Sequence, residues 1–448
     1  MIKKHILVLM TGLLLAIGFY ATAQDIKINL IDGQRPNIAI PYFRGSGEAD
    51  KFMSTFNETL NEEIEGSGVL KLVSRSMMPR ANPQVPQDFK PAANTGNGGG
   101  YWITDWSSPP VSAKYLAFGY TGIQEDRLVL FGWLYDVTQP LANAQVIGKL
   151  YFGAISADGA KQVAREFAAD ILGQFGAKSL AGSKIYFVSN RTGEKQVWVM
   201  DYDGTNQKPF AQYRELCTMP SVSPDGSKVA FTRFSPNGPQ IMIHSSEGRR
   251  LSFLNPPGSL NATLSFAPDG SKVVFASKVG GFAQLHVANE NGGGLRRLSN
   301  TRAIEVEPKI NPKTGADLVF VSGRSGPQQI YKMNMDGADV MRLTSGEGQA
   351  SNPSWHPDGQ FIAFSWTRGY EPGNWNVFVM DVTTQKYLQL TSGRGRNENP
   401  SWAPDGRHIV FASTRGGSMQ IYTMLADGTN VRRLTSAGRN EMPVWSPK

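Results

Sequence analysis

The chain has 448 residues and a formal charge of +8, from 45 Lys and Arg against 37 Asp and Glu, with no run of five basic residues. That balance describes a slightly basic solvated surface and excludes a nucleic-acid track. A single cysteine, Cys217, excludes an internal disulfide and reads as a small buried packing residue, while 48 Gly and 27 Pro call for many tight turns.

In chain order, Lys3 and Lys4 precede an apolar run from Ile6 to Phe19 and then Ala21-Thr22-Ala23. This is the layout of a secretory signal peptide, residues 1–23, cut before Gln24. The run is shorter than the roughly 20 residues of a spanning helix, and no cysteine at the cut could take a lipid.

Residues 24–178 do not repeat and predict an α/β domain. "DIKINL" and "PNIAIPYF" read as strands. Phe52, Phe56, Leu60 and Ile64 recur every four residues and predict a helix over 50–64, ended by Gly66-Ser67-Gly68. A strand follows at 69–74, then a long Pro-, Asn- and Gly-rich loop at 75–112. Strands at 114–121, 127–137 and 143–152 lead to a second helix that buries Val163, Phe167, Ile171 and Phe175. Both apolar stripes read as plain core, against a mixed sheet.

From residue 179 onward the chain repeats. Pro-Asp-Gly turns at 224–226, 268–270, 357–359 and 404–406 share a phase with Asn311-Pro312-Lys313-Thr314-Gly315. Phe187, Phe231, Phe275, Phe320, Phe364 and Phe411 each close a short apolar strand, and Gln-apolar pairs such as Gln196-Val197 and Gln420-Ile421 open the next. Each unit of about 45 residues therefore holds four antiparallel strands, A to D, the period of a β-propeller blade. The Phe series gives six blades in 179–448. The first has strands B, C and D but no strand A, and the closing "PVWSPK" is a strand A with nothing after it. The two halves predict one blade, with the chain's end paired to 184–190 and Val444 and Trp445 buried.

Antiparallel order places the tight A–B and C–D turns on one face of the disc and the B–C and D–A loops on the other. The D–A loops read Glu215 to Met219, Asn261-Ala262-Thr263, Arg302 to Glu307, Arg396 to Asn399 and Arg439 to Met442. The B–C loops add Arg191, Arg324, Arg368 and Arg415. Carboxylates such as Glu305, Glu307, Glu398 and Glu441 ringing one mouth predict a polar docking surface, unless each only steadies its own blade in an ion pair.

Catalytic signatures are missing from this sequence. It contains no G-x-S-x-G, H-E-x-x-H, C-x-x-C or Gly-rich phosphate loop. Beyond His5, its histidines (His244, His286, His356 and His408) fall at non-equivalent places in different blades, which argues against a shared metal site.

The coupling of a leader, an α/β domain opening "QDIKINLIDGQRPNIAIPYF", the junction "SKIYFVSNRTGEKQVWVMDYDG" and blades of the Pro-Ser-Trp-x-Pro-Asp-Gly type resembles the TolB family, a periplasmic component of the Tol-Pal system. The resemblance spans essentially all of residues 24–448. It implies a non-enzymatic adaptor without cofactor or metal, joining the inner-membrane protein TolA to the peptidoglycan-associated lipoprotein Pal and so to the outer membrane. It further implies that Gln24, Asp25, Ile26, Lys27, Ile28, Asn29 and Leu30 pair with TolA. The lipoprotein would dock on the mouth at Asn261, Ala262, Thr263, Leu264, Glu305, Val306 and Glu307, with Glu398 and Glu441 on the same rim. Two features depart from the family pattern: the Gly-rich loop 94–102 and the longer Asn-Pro-Lys-Thr-Gly turn. Pro-Asp-Gly repeats also occur in peptidase-associated propellers, so a gating propeller of a hydrolase and a propeller that binds a small glycan are the alternative readings.

Overall fold

The computed structural model describes residues 35–80, 82–90, 100–393 and 395–447. The predicted leader, the segment Gln24 to Leu30, the "DIKINL" strand and most of the Gly-rich loop lie outside the described residues.

The first unit is a mixed sheet in the order β3-β1-β4-β5-β6, with β2 (Arg44–Gly45) against β4. β1 (Asn37–Ala39) runs parallel to β3 (Lys71–Leu72) and β4 (Tyr115–Gln124). β5 (Arg127–Asp136) and β6 (Gln145–Gly153) complete an antiparallel meander. The two expected helices form where the fourfold stripes fall. α1 (Met53–Gly66) buries Phe56, Leu60 and Ile64, and α3 (Ala157–Gly173) buries Val163, Phe167 and Ile171 in the same cluster. The Ser156 hydroxyl caps α3 by accepting the Gly159 N–H at 3.0 Å.

The stretch expected as an open loop is instead a packed flap. A short helix α2 (Thr104–Ser107) carries Trp106 into the sheet's second face, where Phe89, Trp106 and Val111 join Phe118 and Tyr135. Pro and Gly set its path; its few aromatic residues supply the burial that keeps it there.

Six four-stranded antiparallel sheets follow. Strands A of blades 2 to 6 are Cys217–Val222, Asn261–Phe266, Glu305–Ile310, Ala350–Trp355 and Asn397–Trp402. Blade 1 is built from both ends of the repeat region. Its strand A is Asn440–Trp445, paired antiparallel to Lys184–Ser189 with Asn440 opposite Ser189 and Trp445 opposite Ile185. Trp445 is buried and donates its indole N–H to Ser183 Oγ at 2.9 Å. Val444 is only half-buried, since it faces the channel.

Strand A begins earlier than expected. Asn261, Glu305, Asn397 and Asn440 are its first residues, opposite Ser277, Ser322, Ser413 and Ser189 of strand B. A β-bulge two residues on makes this possible. The bulge residue has positive φ in every blade: Met219 (57°), Thr263 (54°), Glu307 (54°), Asn352 (56°), Asn399 (54°) and Met442 (51°). Proline follows it in five of the six, at 220, 308, 353, 400 and 443. Strand A is the inner edge of its sheet, so the N–H that proline lacks costs no ladder bond.

The α/β unit rests on the turn face of blades 6 and 1. Arg407 donates to the carbonyls of Ser67 (3.2 Å) and Gly68 (2.9 Å), and His408 Nε2 to that of Gly66 (2.8 Å). Arg165 of α3 holds Asp203 at 2.6 Å and Glu63 of α1 at 3.4 Å. Burial pushes the Glu63 carboxyl up to about 7, with Arg165 opposing and the Asp203 charge adding to the rise. The B–C and D–A face is left open. Removing residues 443–448 should lower the melting temperature sharply, by an unfolding free energy of at least about 3 kcal/mol for the lost Trp burial. Thermal melts followed by circular dichroism measure this, and an unchanged curve would refute the closure.

The propeller mouth and its channel as candidate site

Geometry divides the predicted rim residues into two sets. Glu305 is fully buried, and its Oε1 accepts from Arg324 (2.6 and 3.1 Å), Ser322 (2.9 Å) and Thr301 (3.1 Å). Glu398 is held by Arg396 at 2.8 Å; Glu441 is held by Lys195 and by Arg439 at 3.1 Å. Glu215 takes Arg233 at 2.7 Å. Burial raises the Glu398 carboxyl above its usual range, opposed by Arg396. These carboxylates steady their own or an adjoining blade, and at Glu398 and Glu441 the cationic partner is far more exposed than the carboxylate. Asn261 is likewise inward, donating to the Pro256 carbonyl (3.0 Å) and accepting from Ser277 (2.7 Å), and Ala262 and Leu264 are buried.

The B–C arginines also turn back. Arg191 lies over Trp198 (4.9 Å), Arg324 over Tyr331 (4.9 Å), Arg368 over Trp366 (5.0 Å) and Arg415 over Phe411 (5.0 Å). Each guanidinium thus lids the aromatic layer of its blade by cation–π contact.

The mouth also exposes apolar side chains. Val279 and Phe282 stand on the B–C loop of blade 3 at 54% and 49% exposure, and Ile304 on the neighbouring D–A loop at 49%. The Glu305 N–H donates to the Ala283 carbonyl at 3.0 Å, which holds that loop against the start of strand A in blade 4. Sequence reasoning passed over these three side chains. Their signal was a broken pattern: Lys278-Val279-Gly280-Gly281-Phe282 stands where four of the other five blades carry a polar loop with an Arg.

Thr263, Val306 and Glu307 are half-buried, and Thr263 and Glu307 belong to a ring of six bulge residues that narrows the central channel. Thr263 Oγ1 accepts the Glu307 N–H at 3.2 Å, and Glu307 accepts the Asn352 N–H at 2.6 Å, so neighbouring blades are laced at this waist. Ser354 and Ser401 do the same one layer on, accepting the N–H groups of Trp402 and Trp445 at 3.1 Å.

Among the described residues no group of three His, Cys, Asp or Glu side chains is placed to hold a metal ion. Cys217 is buried, and burial pushes its thiol up to about 12, so no thiolate is on offer at neutral pH. His244 bonds Tyr213 (2.9 Å) and the Gly248 carbonyl (2.8 Å) inside its own blade.

The fold and its site define a two-domain protein: an α/β unit on the turn face of a six-bladed β-propeller whose opposite mouth is open. A family model described as the TolB beta propeller domain matches residues 171–371 and 347–448. The chain belongs to that family. Among curated relatives, "Tol-Pal system protein TolB" of Bordetella pertussis is 31% identical over 243 residues, covering 53% of either chain. "Protein TolB homolog" of Chlorobium luteolum is 30% identical over 242 residues, covering 54% of either. The chain thus spans about half the length of the curated relatives it matches. The crystal structure of TolB from Acinetobacter baumannii superposes with a TM-score of 0.76, covering 93% of this chain and 98% of that one at 23% identity, a likeness of fold.

The carboxylate of Glu305, with one cationic partner, and that of Glu441, with two, should behave differently. Arg324→Ala strands a carboxylate with no exposure and should cost about 3 kcal/mol. Arg439→Ala leaves Glu441 to Lys195 and should cost less than about 1 kcal/mol. Urea melts of the two variants make the comparison; equal losses would contradict the assignment of Glu305 to the blade interior.

Proposed function

We propose that the chain is a non-enzymatic periplasmic adaptor of the Tol-Pal system. An exported α/β domain (residues 24–178) presents the segment from Gln24 to Leu30 to TolA. The propeller (residues 179–448) docks the peptidoglycan-associated lipoprotein on its open mouth, and through it meets the outer membrane. Family membership and the printed role of the Bordetella relative support the system. One observation carries the choice of face: the α/β unit occupies the turn side, through Arg407, His408 and Arg165, and leaves the other side clear.

The roles of the rim residues follow their geometry. Val279, Phe282 and Ile304 are the apolar anchors, with exposed Arg302 on the same loop as Ile304 and exposed Arg396 and Arg439 on the loops that enter blades 6 and 1. Desolvated apolar anchors inside a charged rim are the arrangement in which few side chains dominate binding. Asn261, Ala262, Leu264, Glu305, Glu398 and Glu441 position the loops from beneath, whereas Thr263, Val306 and Glu307 lie deeper, toward the waist.

The test is capture of purified peptidoglycan-associated lipoprotein by the purified protein and by the double variant Phe282→Asp, Ile304→Asp. The wild type should bind saturably, and the variant should lose at least about tenfold in affinity with its melting temperature kept. No binding by the wild type would overturn the adaptor reading; equal binding by the variant would remove the mouth as its site.

A further inference from the structure

Below the waist the channel widens into a funnel of about 450 Å³ that opens on the turn face, away from the mouth. Its outer rim is a ring of six prolines, five from A–B turns (Pro224, Pro268, Pro312, Pro357 and Pro404) and Pro447 after the last strand. Trp355, Trp402 and Trp445 stand in its wall. Its inner end is the ring of bulge residues, and that ring is two-sided. Met442 and Met219, from adjacent blades 1 and 2, make one side apolar; Thr263, Glu307, Asn352 and Asn399 make the other polar.

Two charges face this space, Glu307 and Lys309, two residues apart on one strand and separated by its bulge. Every other rim carboxylate described above is ion-paired. Among the described residues, Glu307 takes only the Asn352 backbone N–H at 2.6 Å and longer contacts of 3.3 and 3.4 Å from its side-chain amide. Lys309 is engaged through its backbone alone, its carbonyl accepting from Trp355 Nε1 at 2.8 Å. Burial raises the Glu307 carboxyl and lowers the Lys309 ammonium from their ordinary ranges, with their mutual attraction opposing both shifts. Burial thus disfavours each charged form, and a ligand of matching charges would favour both.

We propose that the funnel binds a small zwitterion with an apolar side chain, a free amino acid or dipeptide. Its ammonium meets Glu307, its carboxylate meets Lys309, and its side chain lies against the methionines and tryptophans. A ligand with one charge would leave one of the two groups unmatched, and a neutral sugar would leave both. The volume falls in the range of about 300–1,000 Å³ typical of small-molecule sites, which are mostly apolar with a few placed polar groups. The site is independent of lipoprotein docking, which uses the opposite face.

Isothermal titration calorimetry of the purified protein tests this with L-phenylalanine and the dipeptide Ala-Phe. Phenethylamine and 3-phenylpropionate serve as single-charge probes, and the N-acetylglucosamine disaccharide as the neutral one. Saturable binding of either zwitterion is expected, with each single-charge probe at least about tenfold weaker. Glu307→Gln should weaken the zwitterion while sparing 3-phenylpropionate, and Lys309→Met should do the same while sparing phenethylamine. Melting curves check that both variants fold, and the probe comparison on the wild type stands without them. No saturable heat from either zwitterion at about 10 mM would overturn the proposal, as would single-charge probes binding equally well, or the disaccharide binding in their place.

Discussion

Pairing of the last strand with the first is the contact on which the rest of the molecule depends. Asn440–Trp445 joins a partner more than 250 positions upstream. The pairing is fastened at several points besides the ladder. Ser446 exchanges two hydrogen bonds with Lys184, its N–H to the carbonyl at 2.8 Å and its Oγ accepting the N–H at 2.9 Å. Trp445 is held from both sides, by Ser183 through its ring and by Ser401 of blade 6 through its backbone. Without that strand, Lys184–Ser189 of blade 1 would present an unpaired edge, and the long loop would have nothing to repay its closure entropy. The waist also needs it, since Met442 completes the ring of bulge residues.

The closed ring lets a single strand per blade serve two sites. Above the bulge, strand A opens with residues that brace the mouth, such as Asn261, Glu305 and Asn440. Below it, the same strand turns serine, tryptophan and proline toward the funnel. The bulge is what re-aims the side chains between these layers, by inserting one residue that its partner strand does not match. Glu305 and Glu307 show the consequence. Two positions apart on one strand, the first is locked to Arg324 inside the blade and the second faces the channel.

Much of this was legible in the sequence, for identifiable reasons. Four Pro-Asp-Gly turns, one longer variant and six Phe markers are local signals in a common phase, so blade number and the split first blade could be counted. The helix stripes at Phe56, Leu60 and Ile64 and at Val163, Phe167 and Ile171 obey a simple period. What escaped depends on contacts distant in sequence. The D–A "loops" are strand because strand B pairs with them, and only the proline after five of the six bulge residues hinted at an irregular edge strand. The rim arginines looked like a docking surface because sequence shows charge but not the aromatic ring folded beneath it, as at Arg324 over Tyr331. Trp106 gave no period to follow, so the flap that it anchors read as open loop. The apolar mouth residues Phe282 and Ile304 carry no charge, so the charge pattern that marked the rim did not single them out.

Ring closure can be measured directly by native-state amide hydrogen exchange read by mass spectrometry. If Asn440–Trp445 closes blade 1, the amides of Lys184–Ser189 and of the C-terminal strand should be protected together, as slowly exchanging as the matching strand His408–Ser413 of blade 6. Fast exchange of both segments in an otherwise protected propeller would contradict the closure, and with it the mouth and the funnel that the closed ring creates.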